Sequence, residues 1–571
     1  MKKSNIAKRI LFLSLVLVMS LSLAACSGDG SGADKPTGNS SSGNAAGNTG
    51  SSSNEFNTTI GATYSGAVYT EPVVDTLTYG LRNASWDLSP WKNNGSSGAA
   101  VWLCLYSNLL ANPGFGSALE DMQLDMAESY TISDDQLTAT VKLRDYIHDS
   151  KGNPIKAEDV VFSYEKAPAT GPLYAKLSGI LASVTAVDEY TVEFKISAPT
   201  PGIWAIVLSD CPIVSRAWYE KASDEEKATD PATTGAYRVV ENVVGTKIAL
   251  TMVDDFWQKD ELRTIYQSVN AKNLNFICVV EESMRAIALE NKEVDAVYLD
   301  NASYYLFADD PNYTSYSTVM SQPNTYVFNC SDQSVFGSNQ ALRQAILHAI
   351  DFEQVAMANQ GEFYVRSNDL GHLLCSDYNP AWDNEPYFAY DVELAKQYMR
   401  DAGYDPANSG LTLRLLCRNM GGIMDAAVVA QANLAEIGIK LEINAYDQSL
   451  FDTYLDDPTQ WDIAVMSLTV SSSTVTESWN AYLGVQGEYG TVGFVKDEKL
   501  QSLLEDAMRI HDSASMEAFR EYTLDQAYAA QIFIAVANQF SQSYLTDTIF
   551  NFMGGLQVNT AIVSEEYAAS H

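Results

Sequence analysis

Histidine is scarce in this chain, five among 571 residues, and the five stand far apart. No metal constellation can be assembled from such spacing. Neither a His-Glu-x-x-His nor a Gly-x-Ser-x-Gly motif occurs, and no cysteine pair has the Cys-x-x-Cys spacing. The signatures of zinc proteases, serine hydrolases and thiol redox sites are therefore missing. The expectation is a protein without metal, cofactor or catalytic residues. Basic residues are also in deficit: 35 Lys and Arg face 72 Asp and Glu, a formal net charge of −37. Nucleic acid and anionic lipid are poor main partners for such a surface. With acids this abundant, carboxylates adjacent in sequence carry no weight as a glycosidase pair. No internal repeat is visible, and beyond residue 26 no apolar run is long enough to cross a bilayer.

What is present begins with the leader. Lys2, Lys3, Lys8 and Arg9 precede an apolar run at 10–23, and Leu23-Ala24-Ala25 leads into Cys26. This is the pattern of a secretory signal, with residues 1–25 removed. Leu-Ala-Ala-Cys resembles a bacterial lipobox, which implies acyl chains on Cys26 and a membrane anchor. Each buried methylene contributes about 0.8 kcal/mol, so several chains hold firmly. Loss of the leader removes only basic charge and leaves the remainder more acidic. Residues 26–69 are dominated by Gly, Ser, Asn and Thr and read as a disordered tether. The expected location is the extracytoplasmic face of the cell membrane. Of the six remaining cysteines, Cys104, Cys278 and Cys417 lie in apolar runs and read as buried thiols. An exported location leaves disulfides among Cys104, Cys211, Cys278, Cys330, Cys375 and Cys417 open.

From residue 70 onward strand and helix patterns interleave. A strand is expected at 75–81, followed by a turn-rich loop, NASWDLSPW, and a helix over 99–110. Leu137, Ala139, Val141 and Leu143 alternate with polar residues, as do Val192, Phe194 and Ile196, giving half-buried strands. HDSKGNP (148–154) reads as a turn and 157–167 as a helix with acids in its first turn. Further on, Tyr326 to Asn329 is strand-like. Ser338 or Asn339 caps a helix whose stripe is Leu342, Ala345, Ile346, Ala349 and Ile350. A helix over 425–437 ends at Gly438, followed by a strand at 439–445, another at 461–465 and a helix at 500–508. A length of 571 residues suggests about three domains. Interleaved strands and helices in two large segments argue for an α/β protein of two lobes.

The stretch SDDQLTATVKLRDYIHDSKGNPIKAEDVVFSYE (133–165) resembles the signature region of extracytoplasmic solute-binding proteins of family 5. These are the peptide, oligopeptide and nickel binders of ABC importers. Arg144, His148-Asp149, Pro154, Ala157, Asp159, Val160 and Ser163 carry the match, with a turn longer than usual. TTGAYRVV (233–240), DDFW (254–257), ALENKEVDAV (288–297) and FNCSDQSVFGSNQALRQAILHAIDFEQVA (328–356) follow in the family's order. AKQYMRDAGY, QANLAEIGIKLEI and WDIAVMS complete it. The resemblance implies a two-lobed, venus-flytrap fold of the periplasmic-binding-protein type. Lobe I with an inserted subdomain spans 70–322, lobe II spans 323–532, and 533–571 returns to lobe I. It implies a monomer that captures a peptide or related polar solute between hinged lobes and delivers it to ABC permease subunits.

Candidate ligand contacts are Asn83, Ser85 and Trp86 from lobe I, and Ser471, Ser472, Ser473 and Trp479 from lobe II. Each tryptophan could equally be packed in a core. Peptide-gripping relatives place a Trp and then an Asp after the strand equivalent to 461–466. Here Leu468 or Thr469 stands at the Trp position and Ser471 or Ser472 at the Asp position. A hydroxyl cannot pair with a peptide ammonium as a carboxylate does, although Glu477 offers one in a shifted register. Two alternatives compete with transport: a sensory binding lipoprotein on the same fold, and a secreted hydrolase using paired carboxylates. His148 with Asp149, and His348, are read as structural.

Overall fold

The computed structural model describes residues 68–571 except 84–85, 93–95, 115–116, 172–173, 176, 199, 386, 468–473, 485–491 and 552–554. In chain order the elements that matter begin with β1 (Val74–Leu81), α1 (Ser96–Leu105), β2 (Ala127–Ile132), β3 (Thr138–Leu143) and α2 (Ala157–Thr170). Then come β4 (Leu181–Ala186), β5 (Thr191–Ile196), β6 (Tyr237–Val243), β7 (Lys247–Met252), β8 (Ala271–Cys278), α3 (Glu282–Glu290) and β9 (Ala296–Leu299). The long strand β10 (Tyr313–Phe328) leads to α4 (Gln340–Ala349), α5 (Phe352–Gln360), β11 (Thr412–Arg418), α6 (Gly421–Ala435) and β12 (Lys440–Tyr446). Last are β13 (Ile463–Met466), α7 (Val475–Leu483), α8 (Glu498–Ile510), α9 (Ser513–Gln526) and β14 (Ala529–Gln542).

Ten of these strands line up in one 11-stranded sheet, in the order β12-β11-β13-β10-β14-β9-β1-β8-β7-β6, and the short strand Tyr364–Val365 pairs with β14 off this path. Two large hydrophobic cores flank it. One draws on residues 74 to 316 and again on 545 to 563. The other lies wholly within 326 to 535. Among the described residues, β10 and β14 are the strands that run from one core region into the other, paired antiparallel with register shifts between Val319 and Pro323 and between Asn324 and Thr325. Pro323 cannot donate a ladder hydrogen bond, which explains an irregularity at that point. The chain is thus mixed α/β and two-lobed.

Local chemistry accounts for most elements. In β3 the buried Ala139, Val141 and Leu143 alternate with Thr138, Thr140 and Lys142, and β2-β3-β5-β4 form a separate antiparallel sheet. The HDSKGNP segment is an Asx-type turn, with Asp149 Oδ1 accepting from the backbone N–H of Lys151 and of Asn153, both at 2.9 Å. Gly235, in TTGAYRVV, lets two chains touch, since a Cβ there would lie 2.4 Å from the Cys104 carbonyl oxygen. Asn339 caps α4 by accepting from Leu342 N–H at 3.1 Å, and its Leu342-Ala345-Ile346-Ala349 stripe is buried.

Three expectations need correction. The helix expected over 99–110 stops at Leu105, because Leu110–Ala111 pairs as a strand with Gln123–Leu124. The helix expected from 425 starts at Gly421, and Gly422 packs against Asn359, where a Cβ would meet the carbonyl oxygen at 2.4 Å. The strand expected at Tyr326 begins thirteen residues earlier, at Tyr313. Its Ser- and Thr-rich first half lacks apolar alternation because its neighbours are Ser541, Asn538 and Gln539 of β14. All six described cysteines are free thiols, and Cys278 is half-buried where Cys104 and Cys417 are fully enclosed.

Candidate functional site

Registers fix where the two halves meet. β1 runs parallel to β9, and β9 pairs antiparallel with β14, Leu299 opposite Asn538. Continuing along β14 toward Val536 and Ile534 leads from there into the second core. On the other side Met466, the last residue of β13, stands opposite Thr325 of β10, with β11 and β12 parallel to it. The carboxyl ends of the parallel strands of both halves therefore point at one place, the crossing of β10 and β14. In open α/β sheets that is where ligands bind.

At this end of the first half stands Arg82, directly after β1. Its guanidinium lies 4.6 Å over the Tyr298 ring centroid. Beyond Tyr298 is Asp300, whose side chain is about half exposed and 3.6 Å from Arg285. Arg285 is itself buried and donates to the carbonyls of Tyr298 (2.9 Å), Val279 (3.0 Å) and Val280 (2.6 Å). Burial, then a hydrogen bond to Glu282 and its like charge, hold the Asp300 carboxyl above the usual range. Asn83 is exposed, and Trp86 is half-buried with its carbonyl accepting from Asn242 at 2.8 Å. Ser85 lies outside the described residues.

In the second half, Ser471, Ser472 and Ser473 lie outside the described residues, as do Leu468 and Thr469. What the structure gives is the frame around them. β13 ends at Met466, and α7 begins at Val475, whose N–H donates to Asp377 Oδ1 at 2.6 Å. Asp377 Oδ2 sits 2.9 Å from His511 Nε2. Trp479 takes the core alternative: it is 1% exposed, packed 4.7 Å from Phe519, and donates from Nε1 to Asp369 Oδ1 at 2.5 Å. An enclosed indole cannot touch a ligand in this conformation, so its part here is to anchor α7. Glu477 is half-buried on the same helix.

Asp369 belongs to a buried cluster. Arg520 Nε is 3.3 Å from Asp369 Oδ2, and Arg520 Nη1 reaches Glu385 at 2.6 Å and Glu517 at 3.2 Å. The Arg520 guanidinium also lies 5.1 Å over the Trp382 ring. Burial pushes the Asp369 carboxyl up to about 6, against the pull of the Trp479 and Gly371 N–H groups and of Arg520. At the crossing itself, His372 Nε2 is 2.9 Å from the Met320 carbonyl of β10, and Nδ1 accepts from Leu374 N–H at 3.1 Å. Those partners assign the proton to Nε2. Among the described residues no group of three or more His, Cys, Asp or Glu could hold a metal ion, and no helix is long and apolar enough to cross a membrane.

Sequence reasoning missed Arg82, Tyr298, Asp300, His372 and the Arg520 cluster. Arg82 had a visible signal, since it follows the opening strand directly and precedes Asn83. The others come together only through pairings between distant segments. His148, by contrast, sits in its turn with Pro154, and His348 stacks 5.7 Å from Tyr398.

Comparison with known proteins places this geometry. The model of bacterial extracellular solute-binding proteins, family 5, matches residues 121–490. The oligopeptide-binding protein AppA of Bacillus subtilis is 24% identical over 532 residues, covering 88% of each chain. Its structure in complex with a nonapeptide superposes with a TM-score of 0.67 at 17% identity, covering 86% of this chain and 99% of that one. The ABC transporter substrate-binding protein CtaP of Listeria monocytogenes gives a TM-score of 0.73 at 18% identity, covering 86% and 100%. AgaA of A. tumefaciens R10, in complex with agropinic acid, gives 0.68 at 22% identity, covering 86% and 99%.

Proposed function

This chain belongs to the bacterial extracellular solute-binding proteins of family 5, and from that premise we propose that it is the lipid-anchored capture subunit of an ABC importer, closing two hinged lobes over a peptide or related polar solute. A member of this family binds its solute without converting it. The observation that carries the reading is the double crossing: among the described residues β10 and β14 carry the chain between two separate cores, and the parallel strands of both halves end there. Two cores joined by a pair of strands can rotate about them, and a solute touching both faces favours the closed state. The lobes are assigned as 70–322 with 533–571, and 323–532. Asn83, Ser85, Trp86 and Ser471 to Ser473 stand as contacts of that solute, with Trp479 backing the second set. AppA was crystallised with a nonapeptide, which makes peptides the first class to try.

Ligand that binds only the folded state stabilises it by RT ln(1 + [L]/Kd), about 2.7 kcal/mol at a hundredfold excess over Kd. Peptide pools of two to nine residues should therefore raise the melting temperature of the protein, and oligosaccharide pools should not. A flat response to every peptide pool would remove peptides as the cargo.

The anchor is tested separately. Cys26→Ala should leave peptide affinity unchanged while the protein is shed into the medium and uptake falls. Retention of that variant at the membrane would refute lipidation at Cys26.

A further inference from the structure

Arginine in this acidic chain is nearly always satisfied. Eleven described arginines hydrogen-bond or pair with a neighbour. Among the described residues only Arg82 and the exposed Arg238 have neither a hydrogen bond nor an ion pair. Arg82 differs from Arg238 in being half-buried. It has given up hydration without a hydrogen bond or ion pair to a carboxylate, in a protein with 72 acids, although Asp300 lies close enough to feel its charge. The Tyr298 ring beneath it fixes the plane of the guanidinium and leaves the N–H fork unused. Asp300 feels the charge of Arg82 only as the last of several influences; it stands 3.6 Å from Arg285 and hydrogen-bonds to Glu282. By register, Arg82 stands just past the carboxyl end of β1, where the two halves converge.

We propose that Arg82, laid flat on Tyr298, is an anion clamp of the first lobe, and that the solute this chain captures carries a carboxylate that docks there. The inference rests on the capture reading above. A planar fork of N–H donors matches a carboxylate bidentately, which a lysine in the same place would not reproduce. Asp300 and Glu282 beside the clamp repel a second negative charge. A monocarboxylate therefore fits better than a phosphate.

Three tetrapeptide libraries distinguish the source of the carboxylate: free C-terminal acids, C-terminal amides, and amides carrying one Glu. A fourth panel pairs sugar monocarboxylic acids with their amides. Calorimetric titration of the full chain should show at least one acid bound tenfold or more tighter than its amide, about the worth of a charge-assisted hydrogen bond. Arg82→Gln should bind acid and amide alike, with an unliganded melting temperature close to that of the wild type. Arg82→Lys should retain part of the preference. Equal binding of acids and amides by the wild type, or an acid preference that survives in Arg82→Gln, would overturn the clamp while leaving capture intact. Failure of peptides and sugar acids alike to bind the wild type would overturn both.

Discussion

Acidification should destabilise the folded protein through His372 by about 3 kcal/mol as pH falls from 6.5 through 4, the free-energy equivalent of the shift in its ionisation. Burial holds this imidazole at about 4, below its ordinary 6.5, and the hydrogen bond to Met320 offsets that only in part. A base whose folded value is depressed takes up its proton in the unfolded chain first. The stability it secures is whole above 6.5 and is lost progressively below. A proton on Nδ1 would also face the Leu374 N–H that now donates to it, so the charged ring has no place at the crossing. Two buried carboxyls act in the opposite sense. Burial raises Asp125 to about 7 and Asp369 to about 6, so both favour the folded state as pH falls. The wild-type profile is the sum of these, and a difference isolates the histidine. His372→Gln keeps a donor toward Met320 and does not titrate. Its unfolding free energy in urea, compared with the wild type at pH 7 and again near pH 4, should change by about 3 kcal/mol relative to it. Parallel pH profiles for the two proteins would refute the assignment.

The second large effect belongs to Arg520. Replacing it by Met should cost about 3–5 kcal/mol, the usual result of stranding one partner of a buried ion pair. Glu385 and Glu517 are 48% and 35% exposed and can hydrate, whereas Asp369 is 4% exposed and cannot. Adding Asp369→Asn should return a large part of the loss, because the amide oxygen still accepts from Trp479 and Gly371 while the buried charge is gone. Denaturation of the four proteins forms a double-mutant cycle. Losses that simply add would show that Arg520 acts through Glu385 and Glu517 instead.

Much of the fold is legible in the sequence alone. The alternation in 137–143 and 191–196, the Asn339 cap and the Gly438 stop are local codes, each written within a few residues. The ordered run of family motifs points to the family and, through it, to a two-lobed fold. The crossing strands are the hard part. Tyr313–Phe328 opens with Ser and Thr because its first half pairs with equally polar residues of β14, so hydrophobic periodicity has nothing to report. The same reason hides the site. Arg82 meets Tyr298, and His372 meets Met320, only when segments far apart in the chain come together. Trp479 illustrates the complementary failure. A tryptophan near a polar loop reads equally well as contact or core, and only Asp369, more than a hundred residues earlier, decides it.

The placement of β14 between β10 and β9 also sets an order of assembly. A chain emerging from its N-terminus presents β1, β8 and β9 early, yet the slot beside β9 stays empty until the final segment arrives. Asn538 then bonds to Asn301 across 237 residues, and Asn270 bonds to the Ala561 carbonyl across 291. Contacts of such separation form late and slowly. In the interval the first half carries an unpaired strand edge, a template for pairing with other chains. Completion of the large sheet therefore waits on β14, and truncation before Ala529 would leave most of both cores in place around a sheet that cannot close.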